Sequence, residues 1–325
     1  MERQERVEQA QAQIAEDNDR LERLVNFWMP LPAIPSAQEI QAARQEFPFQ
    51  SRLAPPNEPD WEGEQRAALV VLVEQAHHRW PYFLLPRFFA RRQARKLFEV
   101  CWPSREQQVQ QHYTEAWDKY EQDLSREQQA WGGEERHRIA WLERLLAGDV
   151  EEAHRTASEV VSALRFPFQT TCDVFLEDCT CICLHVDLPE IEDTIPLIDQ
   201  RVLNSGDIKE VGKDELQRNR LYARLVFGEA LYLAATIFGY LPLLKIIKVA
   251  AYTQRAARGA AEPIDTYVLD LAFEREAVVD FPANESDIFA FCAKQGGRFD
   301  LTSNFLLRRI EPPAWLRPED VRNCL

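Results

Sequence analysis

The sequence predicts an α+β protein. An N-terminal all-helical, partly coiled-coil half is followed by a mixed, largely antiparallel sheet that packs on a central apolar helix. Three observations support this prediction. Apolar residues recur at helical spacing up to about residue 164, and alternation with β-branched residues begins near residue 165. Residues 216–241 form a long stretch without proline that is apolar on most sides, as expected for a helix in the middle of a domain.

The first 28 residues predict a helix with a short heptad pattern. Val7, Ile14 and Leu21 recur every seven residues, and Leu24 occupies the alternate seam position. Asp17 interrupts this seam. We therefore expect the helix either to pair with a second copy or to lie along a later helix of its own chain.

The next segments predict a proline-rich connector and two helices. Residues 29–62 are rich in proline and contain a short helical stretch, and residues 63–79 have helical periodicity. A further helix is expected to begin at Pro86, since proline suits a first helical turn. That helix combines phenylalanines with five basic residues, Arg87, Arg91, Arg92, Arg95 and Lys96. A solvated amphipathic helix, a nucleic-acid interface and a membrane-surface helix remain alternatives.

A narrow aromatic stripe marks the following polar helix, residues 104–131. Its members repeat at three and four residues, as in a helical hairpin or coiled coil: Val109, Tyr113, Trp117, Tyr120 and Leu124. We expect Gly132-Gly133 to end this helix, a second helix to cover residues 134–147, and a third to cover residues 150–164.

The second half predicts two hairpins around the central helix. The first combines residues 172–176 and 179–188 and turns at Glu177-Asp178, and the second combines residues 244–253 and 264–276. A strand is expected within 196–203 and a short helix within 285–294. The predicted segments are a coiled-coil helix (1–28), a connector (29–62), a helical hairpin domain (63–164), an α+β domain (165–310) and a surface tail (311–325).

Composition limits the classes of function. A net charge of −15 repels polyphosphate, so binding of nucleic acid over the whole surface is not expected. The chain begins with charged and polar residues, and its seven cysteines form no paired spacing, which indicates reduced thiols in the cytoplasm. Glu229 interrupts the apolar stretch, so we expect a buried helix and no membrane partner.

Two sequence patterns are candidate chemical sites, and the first is a run of potential metal ligands. Cys179, Cys181, Cys183 and His185 alternate on one strand, but residues on the same face lie about 6.6–7 Å apart. Two neighbours could converge with distortion, but four such side chains cannot reach one metal, and Cys172 on the partner strand would have to help. We therefore expect no metal and no cofactor.

The second pattern is a loose nuclease spacing of an acid followed by an acid-x-lysine pair. Glu190, Asp207 and Lys209 fit it, and such residues could hold magnesium and position a water molecule. Because the chain is rich in acids, this stays an alternative to a protein without catalytic residues.

Several stretches together resemble a group of poorly characterised bacterial restriction-system or restriction-endonuclease-like proteins. They are residues 163–196 with the turn LPEIEDTIP, the helix 223–238, and the strand 267–281 with FEREAV. Upstream, residues 47–61 and the FFARRQARKLFE run are similar to the same group, so the resemblance covers roughly residues 45–310. It implies a cytoplasmic bacterial protein of a defence or stress locus, here without the nuclease domain and without catalytic residues to carry over.

The sequence thus favours a non-enzymatic interaction or assembly protein, an accessory or sensor component of a defence system. Partners would be another protein or a second copy, through the heptad residues and the aromatic stripe. A metal-dependent nuclease and a nucleic-acid-binding protein are the alternatives.

Overall fold

The structure is a computed structural model that describes residues 2–78, 87–255, 264–282 and 287–317. The chain forms two compact units, one of Met1–Gln45 with Ala140–Leu325 and one of Glu46–Ile139. The first unit has the predicted α+β fold and contains a central helix, and the second is helical. The helices are α1 (Glu2–Val25), α2 (Ala37–Ala43), α3 (Trp61–His78), α4 (Arg87–Leu146), α5 (Val150–Ala163), α6 (Ile191–Thr194), α7 (Glu215–Tyr240), α8 (Arg275–Val279) and α9 (Ile288–Lys294).

Two sheets belong to the first unit. Six strands pair in the order β1-β2-β5-β6-β7-β8, and β3 pairs with β4 as a separate two-stranded hairpin. Their bounds are β1 (Thr171–Asp178), β2 (Cys181–Asp187), β3 (Ile198–Val202), β4 (Ile208–Gly212), β5 (Ile246–Arg255), β6 (Ile264–Glu274), β7 (Gly296–Leu301) and β8 (Leu307–Arg308). All neighbours are antiparallel except β2 and β5, which are parallel because α7 carries the chain back between them.

Helix α7 forms the centre of the hydrophobic core. Its residues from Leu225 to Phe238 are apolar except for Gly228, Glu229 and Thr236, and nearly all of them are buried. It contacts α1, α5, α8, α9 and β5. Helix α7 is long and apolar enough to cross a membrane, but 83% of its apolar window is buried inside the protein, which is consistent with the core helix of a soluble protein.

The six-stranded sheet has two buried faces. Residues Ile182, Leu184 and Val186 of β2 join the core around α7. The intervening residues face the other side, where Tyr252 and Tyr267 form a smaller cluster that Trp315 and Leu316 help to cover. The sheet therefore presents the cysteines of β2 and His185 on the face opposite α7.

The second unit combines α3, most of α4 and an extended connector. Phe49 contacts Trp131 edge to face at 5.7 Å between ring centroids, and the Phe47 amide donates to Glu135 at 2.8 Å. Glu64 pairs with Arg105 at 3.1 Å. The connector from residue 46 to 60 therefore follows α4 toward α3.

Three predictions of local structure were wrong. Helix α4 continues through Gly132-Gly133, because each glycine costs a helix only about 1 kcal/mol and the contacts of Trp131 and Glu135 hold both sides of the pair. The first hairpin turns at residues 179–180, so Glu177 belongs to β1. Strands β7 and β8 also lie where no strand was predicted, since Gly296-Gly297 indicated only a helix stop.

Two predictions fall on parts of the chain that the structure does not describe. The expected helix start at Pro86 lies outside the described residues, which resume at the beginning of α4. The second part of the predicted surface tail, residues 318–325, lies outside them as well. Both therefore stay predictions.

Candidate functional site

The position of α1 creates the most prominent surface feature of the first unit. The C-terminal end of α1 and the residues that follow it pack in the core. Val25 is 1% exposed and Trp28 is 0% exposed. Trp28 donates from Nε1 to the Val25 carbonyl at 3.1 Å and lies directly against Gly228 of α7. Helix α1 also contacts β3. Of the two alternatives left open by the heptads, the structure has the helix packed within its own chain.

A groove of about 1110 Å³ lies between α1 and the β3–β4 hairpin; we call it the α1 groove. Three of the predicted interface residues line it together, Ile14, Leu21 and Leu24. Val7 lies apart, where the turn at Gly206 meets α1. The heptad residues thus form one wall of a groove.

Aromatic side chains form an apolar part of this groove. Phe27 makes edge-to-face contacts with Phe166 at 5.7 Å, Phe168 at 5.2 Å and Tyr232 at 5.7 Å between ring centroids. These residues were not predicted as a site, because they come from three distant segments of the sequence. Such a rigid aromatic cluster is typical of surfaces that bind proteins.

The polar wall of the groove contains a buried ion pair and an unsatisfied acceptor. Lys213 Nζ contacts Asp199 Oδ1, and the Lys213 side chain is only 3% exposed. Gln200 Oε1 is buried and has no hydrogen-bond partner among the described residues.

Exposed apolar residues lie at the groove and beside it, and Ile198 is one of the residues that line it. Leu197 and Ile198 are 60% and 48% exposed, and Leu203 and Ile208 of the same hairpin are also exposed. A two-stranded sheet is marginal in water by itself, and it gains little from apolar side chains that stay in solvent. The hairpin edge is therefore suited to burial against another surface.

The aromatic stripe is present on α4. Trp117 contacts Tyr113 at 6.3 Å and Tyr120 at 5.4 Å between centroids, both edge to face. Val109, Leu124 and these three residues are half-buried. The connector 46–60, anchored near Glu127 by Ser51 at 2.7 Å, follows the same helix.

The basic residues of α4 are exposed. Arg91, Arg92, Arg95 and Lys96 lie within two turns and form no ion pair with any residue that the structure describes. Phe98 and Trp102 stack nearby at 5.1 Å. Arg87 is the first residue of α4, and its side chain lies outside the described part of the structure.

The nuclease-like residues do not form a cluster. Glu190 precedes α6, whereas Asp207 lies at the far end of the β3–β4 hairpin, where Ser205 donates to it at 2.7 Å. Lys209 is exposed on β4 opposite Arg201. The whole length of β3, which has five residues, separates the two acids, because a strand advances about 3.3 Å per residue.

The potential metal ligands predicted on the cysteine-rich strand lie in different environments. Cys181, Cys183 and Glu177 converge, with ligand atoms within 4.8 Å of one another. His185 lies further along, where its Nε2 and the Tyr267 hydroxyl are 2.8 Å apart. Cys172 pairs with Val186 and so lies on the α7 face, which corrects the expectation that it could help the cysteines of β2.

Burial and the neighbouring Lys248 shift the pKa values of Glu177, Cys181 and Cys183. Lys248 Nζ donates to Glu177 Oε1 at 2.7 Å, and this hydrogen bond lowers the pKa of the carboxyl. Burial raises the pKa of the Cys181 thiol to about 11 and that of Cys183 further. Without a bound cation, both thiols are therefore protonated at neutral pH.

Glu229 is buried in the core and pairs with no arginine among the residues that the structure describes. Thr170 Oγ1 lies 2.8 Å from Glu229 Oε1 and 2.7 Å from the Asp187 carbonyl. The hydroxyl has one proton and the carbonyl can only accept it, so when Thr170 donates to Asp187, Glu229 contacts Thr170 as a protonated donor. The pKa of Glu229 is raised to about 8, and burial is the largest cause of this increase. A protonated carboxyl at neutral pH agrees with this value.

Comparison with known proteins found no matching family model, no matching curated protein and no matching solved structure. The resemblance to restriction-system proteins therefore stays a prediction. The functional proposal rests on the surfaces described above.

Proposed function

We propose that this chain is a non-enzymatic interaction protein that self-associates through the α1 groove. The observation that carries the proposal is the juxtaposition of a groove that has an aromatic, apolar part with an exposed apolar hairpin edge. Leu197 and Ile198 are large, exposed side chains, and the groove contains the aromatic cluster centred on Phe27.

A twofold arrangement would use both features at once. In an isologous dimer each copy contributes the same patch, so the hairpin edge of one copy enters the groove of the other. Carboxylates and cations both line the groove, including Asp17, Arg20, Arg23 and Asp193, which suits pairing with an identical surface. Burial of Ile198 would contribute about 1.5 kcal/mol or more per copy.

A concentration series of amide hydrogen exchange tests this assembly. At high concentration we expect slower exchange in residues 14–27 and 197–211 than at low concentration, with unchanged exchange in α8. Identical exchange of the groove and hairpin at all concentrations would contradict the proposal.

The wider role follows only from the sequence resemblance. We propose that the assembly acts in the bacterial cytoplasm as an accessory or sensor component of an antiviral, restriction-like defence system, without a cofactor. Loss of phage protection on deletion of the gene, restored by the wild-type chain but not by an Ile198→Asp variant, would support this role. Unchanged protection would contradict it.

A second candidate function is binding of nucleic acid by the basic turns of α4. The specific support is the exposure of Arg91, Arg92, Arg95 and Lys96 beside the Phe98–Trp102 stack. With four phosphate contacts, affinity for single-stranded DNA should fall roughly 50-fold between 50 and 200 mM salt. Fluorescence anisotropy with a variant carrying glutamine at all four positions tests it, and equal binding by this variant would exclude the candidate.

A further inference from the structure

The side chains of Glu177, Cys181 and Cys183 form a cluster on the sheet face opposite α7. Cys183 Sγ lies 3.5 Å from Glu177 Oε1, and all three ligand atoms lie within 4.8 Å of one another. Tetrahedral zinc with bonds of about 2.3 Å to sulfur and 2.0 Å to oxygen requires sulfur–oxygen separations of about 3.5 Å and sulfur–sulfur separations of about 3.8 Å. The cluster therefore needs only small side-chain movements to reach this geometry.

The local backbone explains how one strand contributes two ligands. Cys181 and Cys183 are alternate residues of β2 and share a face, and the third ligand comes from the neighbouring strand. Phe175 pairs with Cys183, and Glu177, two residues further along β1, shares its face, so that Glu177 lies beside both cysteines. The convergence thus combines two neighbours of one strand with one residue of the adjacent strand.

Charge favours a divalent, thiophilic cation. Two thiolates and one carboxylate carry three negative charges, which a divalent ion and the Lys248 ammonium balance. Thiolate ligands select zinc and similar soft metals over magnesium or calcium. Lys248 would remain in place as the counter-charge.

The cluster also has an open side. Glu177 and Cys183 line a cavity of about 550 Å³, which His154 and Trp315 also line. His154 Nε2 donates to the Val174 carbonyl at 3.2 Å, which fixes this ring at the cavity wall. A fourth coordination position can therefore be filled from this cavity by water or a small ligand.

We propose that Glu177, Cys181 and Cys183 bind one zinc-like divalent cation with an open position toward the cavity. The proposed self-association of the protein through the α1 groove does not depend on this metal site.

Titration of the full-length protein with Co²⁺ in a thiol-free reductant tests the proposal. We expect one equivalent to produce the thiolate-to-cobalt charge-transfer band, and one equivalent of Zn²⁺ to remove it. Cys181→Ser and Glu177→Gln should each weaken Co²⁺ binding at least tenfold, whereas Cys172→Ser, on the opposite face, should bind as the wild type does. Circular dichroism checks that each variant is folded, and Glu177→Gln provides the test if a serine variant is not.

Two results would overturn the site. One is the absence of the charge-transfer band in the folded wild-type protein. The other is a band that persists unchanged in the Cys181→Ser and Glu177→Gln variants, because the metal would then be bound elsewhere.

Discussion

At the scale of single residues, Glu229 connects burial to a measurable pH dependence. Its carboxyl has a pKa of about 8 in the folded protein against 4.5 as the reference value. Between these values the folded state holds a proton that the unfolded chain has released. This group therefore stabilises the fold less as the pH rises, by about 1.4 kcal/mol per pH unit.

We predict that Glu229→Gln removes this loss, because the amide can donate to Thr170 as the protonated acid does. The variant should gain stability over the wild type between pH 5 and pH 8, by an amount on the order of 3 kcal/mol. Urea denaturation at both pH values measures it, with the exposed Glu210→Gln as the matched control. A constant difference between Glu229→Gln and wild type across this range would show that Glu229 is ionised in the fold.

Gly228 provides a second prediction at this scale. A Cβ there would lie 2.1 Å from Trp28 Cδ1, whereas a Cβ at Gly212 would meet nothing within 4 Å. Gly228→Ala should therefore cost about 3 kcal/mol of unfolding free energy, since the buried indole has no room to move. Denaturation of Gly228→Ala and of the control Gly212→Ala checks this, and equal stabilities would mean that Trp28 does not pack against α7.

At the scale of elements, the question is whether helix α4 bends at its glycine pair, Gly132-Gly133. A Cβ added to Gly132 or to Gly133 would meet nothing within 4 Å, and both residues lie inside the helix. Alanine at each position should stabilise the protein by about 0.5–1 kcal/mol. Thermal denaturation followed by circular dichroism measures the gain, and a loss of stability would indicate that the helix bends at this pair.

The elements also show how much of the fold could be predicted from sequence. Helix α7 was predictable because a helix with an apolar surface on all sides has to be buried. The β5–β6 hairpin was predictable from the alternation of residue types along its strands. The continuity of α4 was not predictable, since it depends on contacts of Phe47 and Phe49 with residues far away in the chain. Local patterns do not contain such contacts.

The candidate sites were predictable only in part for the same reason. The heptads predicted a contact surface at Ile14, Leu21 and Leu24, which stays a prediction, but they did not predict that these residues line the wall of a groove. Regular strand geometry predicted that Cys179, Cys181, Cys183 and His185 cannot all reach one metal, and the structure has Cys179 in the turn before β2 and His185 beside Tyr267. It did not locate Glu177, because the predicted turn at Glu177-Asp178 excluded this residue from β1.

At the scale of the whole molecule, α1 belongs to the folded core. Val25 and Trp28 are both buried, so deletion of residues 1–28 should destabilise the first unit by at least about 3 kcal/mol. Chemical denaturation of the truncated chain checks this. A truncated protein of unchanged stability would show that α1 is an independent coil, as one interpretation of the heptads allowed.

Self-association should therefore be tested with point variants, which leave this core intact. Ile198→Asp places a charge on the hairpin edge at an exposed position. Val279→Asp is the matched control, because Val279 is 53% exposed and lies on α8, outside the groove and the hairpin.

The most direct measurement is the solution mass of these proteins by light scattering over a range of concentrations. We predict twice the chain mass of 37.8 kDa for the wild type and for Val279→Asp, and the monomer mass for Ile198→Asp. A wild-type protein that stays monomeric at every concentration, or an Ile198→Asp variant that remains dimeric, would contradict assembly through the α1 groove.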